Sequence, residues 1–155
     1  MGRLMGLGAS GKGKKGRNPR YFSQWSSTFY AAAELTRRGY LVSITLGRAP
    51  KVDLLVESPS GKPFKVQVKS LQYRNYWLIG EVPLDEDLFY ILVYVPRDLS
   101  RPPEFCILTS KEMYEEVGRY QEGLKEKGKP ITRLEYCIPF DVAFKYKNAW
   151  DKLPK

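Results

Sequence analysis

The segments KVDLLVE (residues 51–57) and FKVQVKS (residues 64–70) decide the fold of this chain, and the second has an oddly polar side. Lys65, Gln67 and Lys69 alternate with Phe64, Val66 and Val68, the two-residue period of a strand whose faces differ. Between the runs lies SPSGKP, rich in turn formers, so a hairpin centred near Ser60 is expected. In that register Glu57 faces Pro63, Leu55 faces Lys65 and Asp53 faces Gln67. Val52, Leu54, Val56, Phe64, Val66 and Val68 then share the opposite, apolar face, which suits a core. Directly opposed Cβ atoms lie about 5 Å apart, and Lys69 falls on the diagonal at roughly 7–8 Å. Asp53, Gln67 and Lys69 are therefore expected on one patch, provided that no bulge shifts the register. The plainer alternative is a solvent-facing hairpin with an Asp–Lys surface pair of small energetic weight.

The flanking sequence supplies the other layers. Phe22, Trp25, Phe29 and Ala32 fall at helical spacing, which predicts a helix from about Tyr21 to Arg38 with Gly39 as its stop. YLVSITL (40–46) reads as a strand. LFYILVYV (88–95) is apolar on both faces, as a central strand is, and FCILT (105–109) reads as another. A helix is expected from Ser110 to Lys127, with Thr109 and Glu112 spaced as a capping box. FDVAFKYKNAWDKL reads as an amphipathic closing segment. The expected class is α/β (mixed α+β): a central mixed sheet of four to five strands flanked by helices.

Composition narrows the chemistry. The chain has 155 residues, enough for one domain with its own core, and carries a formal net charge of +9. Arg3, Lys12, Lys14, Lys15, Arg17 and Arg20 precede the first acid, Glu34. Residues 1–20 therefore read as a flexible, basic, Gly-rich arm on a single domain spanning 21–155. The arm is either a phosphate-attracting extension or a solubilising tail. GLGASGKG (6–13) approaches a phosphate-binding P-loop, but Gly13 stands where Ser or Thr must follow the lysine, which argues against an ATPase. With no apolar run of spanning length and no signal-like stretch, the expectation is a soluble, cytoplasmic protein without a membrane partner. Cys106 and Cys137 sit inside apolar runs and read as buried free thiols. There is no histidine, which excludes Ser-His and Cys-His nucleophile systems. Catalysis, if present, rests on carboxylates, lysines, amides or a bound cation.

The order of a helix ending AELTRRGY, a strand, VD on a second strand and QVK on a third resembles the PD-(D/E)XK nuclease superfamily, with its restriction-endonuclease-like fold. The likeness covers roughly residues 21–96, in the manner of small nuclease-like proteins with a D…QxK core. It implies a DNA-cutting endonuclease dependent on Mg2+ or Mn2+. Asp53 would hold the metal together with the Gln67 side chain and the Val68 backbone carbonyl, and Lys69 would orient the attacking water. Two departures stand out. Gln67 replaces the usual acid at the second ligand position, and Thr28 occupies the place where the family often has a helix glutamate. Glu34 either swings toward the site as a further ligand or is a solvated partner of Arg37 and Arg38. Lys12, Lys14, Lys15, Arg17, Arg20, Arg48, Lys65, Tyr73 and Arg74 are the candidate nucleic-acid contacts, and Trp77 reads as core. A homodimer would suit paired cuts. The competing expectations are a nuclease-fold module that binds nucleic acid without cutting it, and an unrelated α+β interaction protein.

Overall fold

The computed structural model describes residues 16–46 and 50–155. A five-stranded mixed sheet lies at its centre, in the order β1-β2-β3-β5-β6. These strands are β1 (Leu41–Ile44), β2 (Leu54–Glu57), β3 (Pro63–Leu71), β5 (Leu88–Tyr94) and β6 (Glu104–Thr109). Only β3 and β5 run parallel; the other neighbours are antiparallel. The crossover between β3 and β5 contains β4 (Tyr76–Leu78), which pairs with β7 (Cys137–Pro139) in a separate two-stranded sheet.

Strand alternation sorts the core into two layers. Phe89, Ile91 and Val93 of β5 join Leu54, Val56, Phe64, Val66 and Val68 beneath α1 (Pro19–Arg37), which contributes Ala31 and Leu35. Leu88, Tyr90, Leu92 and Tyr94 face the other way, toward Met113 and Val117 of α2 (Ser110–Glu126) and the aromatic pair Trp77–Phe140. All seven residues of β5 are buried. A strand with helices on both sides has no polar face to offer, which explains its unbroken apolar sequence.

The helix ends follow local chemistry. Asn18 Oδ1 accepts from the Arg20 N–H at 3.0 Å, and Pro19 occupies the first turn. Arg20 therefore belongs to α1 and not to the expected arm. At the other end Gly39, at φ +91°, takes the left-handed conformation that ends the helix. The capping box of Thr109 and Glu112 forms as expected.

One further sequence expectation needs correction. The first strand of the hairpin spans Leu54–Glu57 and not residues 51–57. Its ladder to β3 keeps the expected register, with Leu55 opposite Lys65 and Glu57 opposite Pro63, and ends at Leu54 opposite Val66. The chain bends before it because Lys51 adopts φ +61° and Thr45 holds the bend. The Thr45 hydroxyl donates to the carbonyls of Val52 (2.6 Å) and Asp53 (3.1 Å), and its N–H donates to Asp53 as well (2.9 Å). The closing segment consists of α3 (Phe140–Ala143) and short turns at Phe144–Tyr146 and Trp150–Lys152, with Asn148 at φ +55° between them.

Among the described residues no helix is long and apolar enough to cross a membrane.

Candidate functional site

The site begins where β2 leaves β3. With β2 ending at Leu54, the backbone of Val68 has no strand partner on that side, and side chains take the strand's place. The Val68 N–H donates to Asp53 Oδ2 at 2.7 Å, and the Val68 carbonyl accepts from Gln24 Nε2 of α1 at 3.1 Å. The Asp53 N–H itself donates to the Val66 carbonyl at 2.9 Å. Asp53 thus sits on a bend instead of standing in the ladder opposite Gln67. Its carboxylate is anchored by one oxygen, and no hydrogen bond engages Oδ1 among the described residues. A second clamp, Ser70 Oγ to the Ser23 carbonyl at 3.0 Å, ties the end of β3 to α1.

Burial sets the electrostatics. It pushes the Asp53 carboxyl above its ordinary range, against the Val68 N–H and the Lys69 ammonium, which pull it down. Burial likewise lowers the Lys69 ammonium, opposed by Asp53 and assisted by Lys51. Each charge moderates the shift of the other, but no ion pair joins them among the described residues. Asp53 lines a narrow cleft of about 210 Å³ with Gln24, Trp25 and Thr28. Lys69 lines a larger cleft of about 730 Å³ with Lys51, Arg133, Tyr136 and Glu81. Lys51 also donates to the Glu81 carbonyl at 3.2 Å.

The remaining expected residues divide. Gln67 is buried, 7% exposed, and its amide makes no hydrogen bond among the described residues. It pairs in register with Tyr90, whose buried hydroxyl also lacks a partner. Lys65 forms a part-exposed salt bridge with Asp85. Glu34 is held by Arg37 at 3.0 Å and Arg38 at 3.4 Å, the solvated-partner reading of the two considered. Arg74 rests on the rings of Tyr94 and Phe140, at 5.6 and 5.4 Å. Arg17, Arg20 and Tyr73 meet in a third cleft, which Arg97 joins by donating to the Tyr73 hydroxyl. Trp77 is core at 1% exposure. Lys12, Lys14, Lys15, Arg48 and the near P-loop of residues 6–13 lie outside the described residues.

Sequence reasoning missed Gln24, Lys51 and Arg133. A signal for Gln24 was present: it stands above Thr28, Ala31 and Leu35 on the buried face of α1, a polar end to an apolar stripe. Nothing in the local sequence distinguishes Arg133 from any other surface cation.

No protein-family model, curated protein or solved structure matches the chain.

The donor set decides which metal could be held. Among the described residues no three acids or cysteines cluster. Asp53 Oδ1 and the Gln67 amide oxygen are unengaged, whereas the Val68 carbonyl is occupied by Gln24. One carboxylate does not make a resident cage; magnesium is the ion often held by only one or two carboxylates and completed by waters and substrate phosphate.

Proposed function

We propose that the chain is a metal-dependent nuclease that hydrolyses phosphodiester bonds in nucleic acid at Asp53, Gln67 and Lys69. The observation that supports this best is the half-buried Asp53 carboxylate, pinned by the Val68 N–H and coupled electrostatically to Lys69, which lines a basic cleft and forms no salt bridge among the described residues. Asp53 and Gln67 would hold Mg2+ or Mn2+, which when bound supplies Lewis acidity and a more acidic water. Lys69 lies where burial reduces screening, so its charge acts strongly on negative charge developing at phosphorus. Lys51 and Arg133 offer the flanking phosphates a positive wall.

A second reading has its own support. The Gln24 bond to the Val68 carbonyl and the single carboxylate suit a module that binds nucleic acid without cutting it. The two separate in one experiment. Labelled linear, branched and single-stranded DNA is incubated with Mg2+, Mn2+ or EDTA, alongside Asp53→Ala and Lys69→Ala. Metal-dependent cutting lost in both variants is the expected result. Binding without cutting in any metal gives the second reading. Absence of binding at low salt removes both and leaves an interaction protein of another kind.

A further inference from the structure

Helix α1 carries an aromatic ladder that the core does not use. Tyr21, Trp25 and Phe29 follow at four-residue steps, with ring centroids 6.2 and 5.6 Å apart, and Phe22 meets Tyr21 edge-on. Tyr21, Phe22 and Phe29 are 59%, 49% and 55% exposed, whereas the face of α1 that packs inward is Ser27, Thr28, Ala31 and Leu35. Isolated exposed aromatics need no explanation, but a continuous row does.

Cations gather at one end of the row. Arg17, Arg20 and Arg97 line a cleft of about 570 Å³ with Phe22 and Tyr73, and no acid precedes Glu34 in the sequence. Trp25, in the middle of the ladder, also lines the cleft that holds Gln24 and Asp53. The ladder therefore runs from a cluster of cations to the candidate carboxylate.

We propose that the ligand of this face is single-stranded nucleic acid, its unpaired bases stacked on Tyr21, Trp25 and Phe29 and its phosphates against Arg17, Arg20 and Arg97. The proposal rests on the nucleic-acid reading of the Asp53–Lys69 site, whether that site cuts or only binds. A duplex presents base edges in its grooves and keeps base faces inside the stack. Ring faces exposed on a helix are matched by unpaired bases, and such stacking tolerates any sequence. The cations alongside add salt-dependent affinity for the backbone.

The test measures binding of the full chain to a fluorescent oligothymidylate, to a mixed-sequence single strand, and to that strand as a duplex. Single strands are expected to bind at least tenfold more tightly than the duplex. Tyr21→Ala and Phe29→Ala should each weaken single-strand binding roughly 5- to 100-fold with the salt slope unchanged, and Phe29→Trp should restore it. Trp77 and Trp150 are buried, so quenching of tryptophan emission on binding reports Trp25. Circular dichroism confirms that the half-exposed positions leave the fold intact. Equal affinity for duplex, or ladder variants that bind as well as the parent, overturns the stacking proposal while the nucleic-acid reading survives. No binding of any form overturns both. A parent dimer that becomes monomeric in the ladder variants, seen by sedimentation, makes the ladder a contact between copies and overturns the proposal.

Discussion

A buried carboxylate and a half-buried one, Glu116 and Asp53, meet opposite fates. Glu116 of α2 is 7% exposed, and burial alone would raise its carboxyl. The Tyr146 hydroxyl donates to it at 2.6 Å and Arg119 pairs with it at 2.6 Å, and together they hold it below the ordinary range. The Tyr146 hydroxyl is in turn pushed up to about 12 by burial and by Glu116. Asp53 receives one backbone N–H and the weaker pull of the Lys69 ammonium, and burial wins. A carboxylate whose charge is fully answered within the fold is structural. One left short of partners, beside a lysine equally short, costs stability and has something to offer a ligand.

The largest break in this comparison should come from Asp53→Asn. The amide keeps an oxygen for the Val68 N–H but loses the charge, so metal-dependent cleavage is expected to fall at least about 100-fold. Thermal stability should hold or rise. The folded pKa of Asp53 is raised, so the stability it contributes is present below the ordinary aspartate range and is lost as pH rises through the raised value. The melting temperature of the variant minus that of the parent should therefore increase with pH from about 4 upward. A variant that melts lower at neutral pH would mean that the charge stabilises the fold.

Glu116→Gln should behave in the opposite way. Cleavage is expected to be unchanged, while stability falls by about 1–3 kcal/mol from weakened charge-assisted bonds. Its folded pKa is depressed, so that stability is present above the ordinary glutamate range and lost as pH falls through the depressed value. The deficit of the variant, read by calorimetry across acid pH, should shrink as pH falls. The smallest effect should be that of Glu34→Gln, which removes a surface partner of Arg37 and Arg38. A stability loss below about 0.5 kcal/mol and unaltered cleavage are expected; a large loss of cleavage would return Glu34 to the site.

The hairpin was legible because alternation and turn chemistry are local. Val66 and Phe64 had to share a face with Leu54 and Val56, and the observed register obeys that. The buried β5 was legible for the same reason. The bend at Asp53 was not, because it depends on a positive φ at Lys51 and on Thr45, just past the end of β1. Gln24 reaches Val68 across 44 positions of sequence, and Arg133 joins Lys69 only through the folding of the segment before β7. Periodicity names the residues on a face. It does not name the side chains that replace a missing strand.

The two thiols have a practical consequence. Cys106 and Cys137 are free and buried, the first pushed up to about 12 and the second also raised, so neither forms thiolate near neutral pH. A cysteine introduced on the surface of the native protein would be far more reactive toward maleimides than either of them. Probes can thus be attached along α1 or the basic clefts with the native cysteines left in place.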